Sequence, residues 1–233
     1  MKVRALAMDF GGTLARPGPD PDGRTVAAIV RATPGTLVPE AFADAFDAVH
    51  RAVRQTDRAR ETHTPFAQEI RQAARACGAR VPDPDAAADA VFSAIPDAHV
   101  DQGAAEALRL LHRRGLVCVL ACDTQRPAWV RRRTLEAEGI ADLFDALVLS
   151  SALGVRKPNP AFYRAVIEAC GCPAQEALFV GDTPSKDVLA PHALGMQAVL
   201  ISLSGRPDGM EESIGVLPHL RDLPHYLETT DAL

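Results

Sequence analysis

The chain has 233 residues, 47% of them hydrophobic and 24% charged, with a formal net charge of −5. That length suits one large domain or two unequal ones, and the composition excludes wholesale disorder. With 25 basic residues against 30 acidic ones there is no electrostatic footprint for nucleic acid, and no apolar run is long enough to span a membrane.

The basic residues are Lys2, Lys157, Lys186 and arginines, so a mechanism that needs a lysine has those three to choose from. Five cysteines (Cys77, Cys118, Cys122, Cys170 and Cys172) lack zinc-type spacing and read as reduced thiols. The apolar stretch at the N-terminus is broken by Arg4 and Asp9, too short for a signal sequence, so a cytoplasmic protein is expected.

In chain order, an apolar run at 3–8 predicts a first buried strand. A Pro/Gly/Asp loop at 16–23 follows, then helical patterns at 24–32, 40–59, 65–77 and 84–95 with no strand signal between them. Phe42, Phe46, Val49 and Val53 fall on one face of the second. Beyond residue 100, helices at 103–114, 127–138, 160–169 and 184–194 alternate with apolar strands at 116–121, 146–149, 177–180 and 198–201. A loop and a short amphipathic helix near 218–228 end the pattern. Apolar strands alternating with helices indicate βαβ units, hence an α/β fold with a Rossmann-like parallel sheet covered by helices on both faces. The hundred-residue gap after the first strand reads as an inserted α-helical module over 15–100. Residues 1–14 and 101–233 then form the α/β core.

Ligands of such sheets bind beyond the carboxyl ends of the strands. Three clusters fall there. Asp9-Phe10-Gly11-Gly12-Thr13 joins a strand-end carboxylate to glycines whose free N–H groups let an anion approach. Such a carboxylate is a nucleophile, a metal ligand, or simply part of a turn. Gly181-Asp182-Thr183-Pro184-Ser185-Lys186-Asp187 ends another strand with two carboxylates. Hard oxygen ligands suit Mg²⁺, and Asp182 or Thr183 is equally placed to cap the next helix. Lys157 stands in a proline-stiffened loop, Arg156-Lys157-Pro158-Asn159-Pro160, either as an anion partner or as a solvated surface lysine.

In this order and spacing, Asp-x-x-Gly-Thr-Leu, Lys-Pro and Gly-Asp with a second Asp five residues on, the clusters resemble the haloacid dehalogenase superfamily of hydrolases, in particular members with an α-helical cap. The resemblance spans residues 3–202. It implies a central first strand with the cap closing over its end. It implies Asp9 as a nucleophile that forms an aspartyl-phosphate. Mg²⁺ would be held by Asp9, the Gly11 carbonyl and Asp182, with Asp187 either a further ligand or placed just behind the ligands, and Lys157 would neutralise phosphoryl oxygens and orient Asp9. Gly12 and Thr13 would lie in the phosphate shell. The substrate would be a small phosphorylated metabolite, and the chain a monomer or homodimer that binds neither nucleic acid nor membrane.

Two positions depart from the family pattern. The acid/base aspartate two residues after the nucleophile is replaced by Gly11. The phosphate-binding hydroxyl after the second strand is replaced by Cys122, with Thr124 as a substitute nearby. Asp123 is the first candidate for the missing acid; His63 and Asp20 are weaker ones, expected to be solvated. The alternative is a catalytically impaired relative that binds a phosphorylated ligand or a protein partner. A cap without lysine disfavours Schiff-base phosphonate cleavage, and Gly11 disfavours a mutase.

Overall fold

The computed structural model describes residues 2–230 and 232. Residues 1, 231 and 233, at the ends of the expected core, lie outside the described residues. In chain order the elements are β1 (Ala5–Met8), β2 (Ala15–Pro17), α1 (Gly23–Ala32), α2 (Phe42–Arg60), α3 (Phe66–Cys77), α4 (Pro84–Ala94), β3 (Ala98–Val100), α5 (Gln102–Arg113), β4 (Val117–Cys122), α6 (Ala128–Ala137), β5 (Ala146–Leu149), α7 (Ser150–Leu153), α8 (Pro160–Cys170), β6 (Ala177–Gly181), a π-helical stretch (Pro184–Leu189), α9 (Ala190–Ala193), β7 (Gln197–Ile201), β8 (Gly215–Leu217) and α10 (Leu223–Thr229).

Among the described residues, six strands form one parallel sheet in the order β5-β4-β1-β6-β7-β8, with β1 central as expected. Alternate residues of β1 serve opposite faces. Leu6 and Met8 join a cluster with Leu108 and Leu111 of α5 and Leu227 of α10. Ala5 and Ala7 pack with Phe162, Tyr163 and Val166 of α8. Both faces are covered, which is why the strands read as unbroken apolar runs.

Helices α1 to α4 bury a separate apolar cluster that includes Val30, Phe42, Phe46, Phe66, Ile70 and Phe92. Asp22 and Asp83 cap α1 and α4 through their side chains. Val130 of α6 also joins this cluster, so the helical insert rests on the sheet domain.

Three expectations need correction. The segment 15–100 is not purely helical at its ends. Strands β2 and β3 pair antiparallel, Ala15 opposite Val100 and Pro17 opposite Ala98, so the chain enters and leaves the insert side by side. A sixth sheet strand, β8, was hidden because only three residues pair and two are half-exposed. The helix expected at 184–194 is a π-helical stretch followed by α9. Pro191 has no N–H to continue an α-helical ladder, and the Asp187 side chain is drawn back to the Thr183 N–H at 2.9 Å.

Candidate active site

Four strand ends converge on one cavity of about 520 Å³. β1 delivers Asp9. β4 leads into Asp123 and Thr124. The loop beyond β5 and α7 brings Lys157, and β6 with the π-helical stretch brings Asp182 and Asp187. Gly11, Gly12, His63 and Asp20 line the same cavity.

Lys157 is at the centre. Its Nζ donates to Asp9 Oδ1 and Asp187 Oδ1, each at 2.7 Å, and to the Ala121 carbonyl at 3.3 Å. It is 3% exposed, so the solvated-lysine reading is set aside. Burial pushes its pKa down, but the carboxylates of Asp9, Asp187 and Asp123 outweigh this and the net shift is upward. The ammonium stays charged. Burial pushes the Asp9 carboxyl up, Lys157 pulls it down, Asp187 pushes it up again, and the net direction is up.

Asp9, Asp182 and Asp187 offer carboxylate oxygens that lie within 4.8 Å of one another. Asp182 is raised first by burial and then by the negative charge of Asp9. Three carboxylates against one ammonium leave surplus negative charge, and the side-chain donors are all oxygen, so the cluster fits a hard divalent cation. Asp182 does not cap the following helix: its Oδ1 accepts from the Thr183 hydroxyl at 3.1 Å, and the Thr183 N–H goes to Asp187.

The glycines matter for what they leave open. Gly12 has φ of +77°, and a β-carbon there would stand 2.0 Å from Asp182 Oδ2. A β-carbon on Gly181 would stand 2.4 Å from that of Asp187, so glycine at the end of β6 lets Asp187 fold back onto Lys157.

Around this centre the expected residues take different places. Asp123 accepts from the Lys157 N–H at 2.9 Å, from Lys186 Nζ at 3.1 Å and from Arg156 Nη2 at 3.4 Å. Thr124 donates its N–H to Ser150 Oγ at 2.8 Å and lines the cavity. Thr13 is buried, and its hydroxyl has no partner among the described residues.

Cys122 is corrected. It is the last residue of β4, packs in the core cluster and is not part of the cavity wall. Burial pushes its thiol up to about 12, which removes any thiolate at neutral pH. His63 is corrected too. It is half-buried rather than solvated, with Nδ1 3.2 Å from Ser150 Oγ and Nε2 without a partner among the described residues. Its pKa is lowered, chiefly by burial, and its charged neighbours are Asp57, Arg156 and Asp123. Asp20 is exposed and paired with Arg54 at 2.9 Å.

Sequence reasoning missed Arg126 and Arg131 in the cavity wall; Arg156 and Lys186 lie inside the motif segments it singled out, but their pairing with Asp123 did not follow from spacing. Arginine is so frequent in this chain that spacing alone does not single one out.

Residues 3–195 match the family model for haloacid dehalogenase-like hydrolases. A phosphoserine phosphatase of Thermus thermophilus is 36% identical over 101 residues, 43% of this chain and 40% of that protein. A phosphoglycolate phosphatase of Pseudomonas fluorescens is 35% identical over 144 residues, 58% of this chain and 52% of that protein. The aligned segments thus span about half or less of those relatives. The fold is shared with a 2-haloacid dehalogenase of Pseudomonas syringae (TM-score 0.71, 18% identity, 98% of this chain and 99% of that one). With the family model matching most of its length, the chain belongs to the haloacid dehalogenase-like hydrolases.

Proposed function

We propose that the chain is a Mg²⁺-dependent phosphohydrolase that transfers the phosphoryl group of a small phosphomonoester to Asp9 and then to water. The observation that carries this reading is Lys157 Nζ, buried and 2.7 Å from both Asp9 and Asp187. A carboxylate that attacks a phosphate dianion meets like charge, and each unit pair at 4 Å costs about 4 kcal/mol at an effective dielectric of 20. The ammonium offsets part of that repulsion. The carboxylates of Asp9, Asp182 and Asp187, with the Gly11 carbonyl, would hold the cation. When bound, Mg²⁺ supplies Lewis-acid polarisation of the phosphoryl oxygens. The names of the relatives, phosphoserine and phosphoglycolate phosphatases, support a phosphoryl substrate.

In the first half-reaction a bond forms between an Asp9 carboxylate oxygen and phosphorus, and the bond to the leaving oxygen breaks. Water then attacks phosphorus, the bond between phosphorus and the Asp9 oxygen breaks, and the water's proton leaves with the released phosphate, which restores the Asp9 carboxylate. Lys157 draws the Asp9 carboxyl towards its ionised form, against the effect of burial, and aims it. The Gly12 backbone and the Thr124 hydroxyl, both in the cavity wall, would bind the phosphate, whereas Thr13 is buried and is not part of that wall. Asp123 is better suited to position than to donate a proton. Its oxygens are occupied by three donors, so it holds Lys186 and Arg156 at the cavity wall. The leaving oxygen therefore departs without the general acid that Gly11 lacks, which penalises poor leaving groups by about 10²–10⁴-fold.

That deficit favours the second reading, a binding protein that turns over little. One experiment separates the two: phosphate release from a panel of alkyl, aryl and acyl phosphates with Mg²⁺, beside Asp9→Asn and a chelator control. Turnover that needs both Asp9 and Mg²⁺ supports the enzyme. Ligand binding with no turnover above Asp9→Asn overturns it.

A further inference from the structure

Asp57 lines the cavity and has no part in the mechanism above. It is 6% exposed and stands in the last turn of α2, where the helix dipole disfavours a negative charge. Three neutral donors meet its carboxylate. Thr62 Oγ1 donates to Oδ1 at 2.9 Å, Thr64 Oγ1 to Oδ1 at 3.0 Å and the Thr64 N–H to Oδ2 at 2.7 Å. All three come from the connector between α2 and α3. That connector begins with a second local cost. Glu61 takes the left-handed conformation, φ +54° and ψ +32°, and is the one non-glycine residue with positive φ among the described residues. Backbone outliers of this kind persist where the surrounding structure imposes them.

Here the surrounding structure is the α/β core. Turned by Glu61, the connector runs antiparallel to the loop that carries Lys157, with Thr62 opposite Val155. The His63 N–H donates to the Gly154 carbonyl at 2.9 Å, and the Arg156 N–H donates to the Glu61 carbonyl at 3.1 Å. The next residue is Lys157, whose own N–H goes to Asp123 at 2.9 Å. The His63 ring extends the contact: its Nδ1 is 3.2 Å from Ser150 Oγ, which accepts the Thr124 N–H at 2.8 Å. The insert thus grips the two core loops that present Lys157 and Thr124. An insert that only covered the cavity could end α2 on a glycine, with no carboxylate buried in its last turn.

We propose that Asp57 is a positioning residue: it shapes the connector that seats the Lys157 loop, so that Lys157 Nζ meets Asp9 and Asp187 together. Its effect on rate rests on the phosphohydrolase reading, whereas its effect on the Lys157 ammonium does not.

Asp57→Ala and Asp57→Asn in the full chain test this, since asparagine keeps an acceptor for the connector. The lysines are Lys2, Lys157 and Lys186, so ¹⁵N labelling of lysine leaves those ammonium groups alone to observe, and Lys2→Arg and Lys186→Arg assign Lys157 by elimination. The Lys157 ammonium is buried with three acceptors, so its protons should exchange slowly enough to be seen at neutral pH. Asp57→Ala should lose that signal and Asp57→Asn should keep it. With Mg²⁺ and p-nitrophenyl phosphate, Asp57→Ala should lower kcat about tenfold or more, as expected for a misplaced reacting group, while KM and the half-saturating Mg²⁺ concentration stay within about threefold. Asp57→Asn should stay within about threefold of the wild type in kcat. Should Asp57→Ala fail to fold, Thr62→Val combined with Thr64→Val removes two of the three donors, keeps the branched shape, and should weaken the same signal and kcat. A folded Asp57→Ala that keeps the Lys157 signal, a KM that changes in step with kcat, or an asparagine variant no better than alanine overturns the positioning role. A wild-type chain without turnover fails the phosphohydrolase reading instead, and the lysine signal then decides alone.

Discussion

Pro17 Cγ lies 3.0 Å from the point where a β-carbon on Gly11 would stand. The first residues of the insert thus fill the space that an acid/base side chain at position 11 would enter. The backbone at Gly11 is outside the left-handed region, so a side chain is conformationally acceptable there. Gly11→Asp should fold, with Pro17 displaced by a few tenths of an ångström and a small fall in Tm. It should raise kcat/KM for alkyl phosphates at least tenfold and for aryl phosphates much less, because only poor leaving groups need the proton. Phosphate-release assays across leaving groups check this. Equal gains for both classes, or none, would mean that protonation of the leaving oxygen is not what limits the rate.

Gly12 gives the opposite expectation. Its φ of +77° and the 2.0 Å approach to Asp182 Oδ2 leave no room for a methyl group. Gly12→Ala should lower Tm by several degrees, since a side chain forced into this conformation costs about 1–2 kcal/mol before any clash. It should also weaken Mg²⁺ binding, because Asp182 must swing away. Calorimetry and a metal titration on the purified variant test both parts.

The fold was largely legible because its core strands are buried on both faces and announce themselves as apolar runs. β8 was not, since its pairing covers three residues and its Val216 and Leu217 stay half-exposed. Asp9, Asp182, Asp187 and Lys157 stood out because each follows an apolar strand at a recognisable spacing. Cys122 was misplaced by one residue of strand length: β4 runs on to include it, and the alternation of a strand turned its thiol into the core. His63 is held half-buried by contacts distant in sequence, with Thr62 bridging to Val155 and the His63 N–H donating to the Gly154 carbonyl, and no local pattern encodes those. The Arg126, Arg131 and Asp97 cluster joins residues about thirty positions apart, and no local pattern encodes such a meeting.

Lys157 holds two carboxylates at once, so its loss should be felt in both stability and rate. Lys157→Met leaves Asp9 and Asp187 facing each other without a cation in a buried setting. Removal of one member of a buried ion pair costs about 3–5 kcal/mol. The expected result is a clear drop in Tm, with activity near that of Asp9→Asn. Lys157→Arg should not restore the rate. A guanidinium is larger and planar and does not reproduce the compact charge that stands 2.7 Å from both oxygens in a buried setting. Full activity in the arginine variant would show that only net charge matters.

Glu69 offers a pH test remote from the carboxylate centre. It is fully buried on α3, 2.6 Å from His50 Nδ1 of α2, and accepts from Gln125 of the loop after β4. Burial pushes its pKa up; the hydrogen bond and charge of His50 and the bond from Gln125 oppose this, and the net direction is upward. A carboxyl raised in the folded state contributes stability that is complete below its unfolded value of about 4.3 and is lost as pH rises through the folded value. Glu69→Gln stays neutral and keeps an acceptor for Gln125. The Tm of the variant minus that of the wild type should therefore grow as pH rises from 4 towards 8. Thermal melts across that range measure it. A difference that stays flat, or shrinks with pH, would mean that the ionised Glu69 is fully compensated by its two partners.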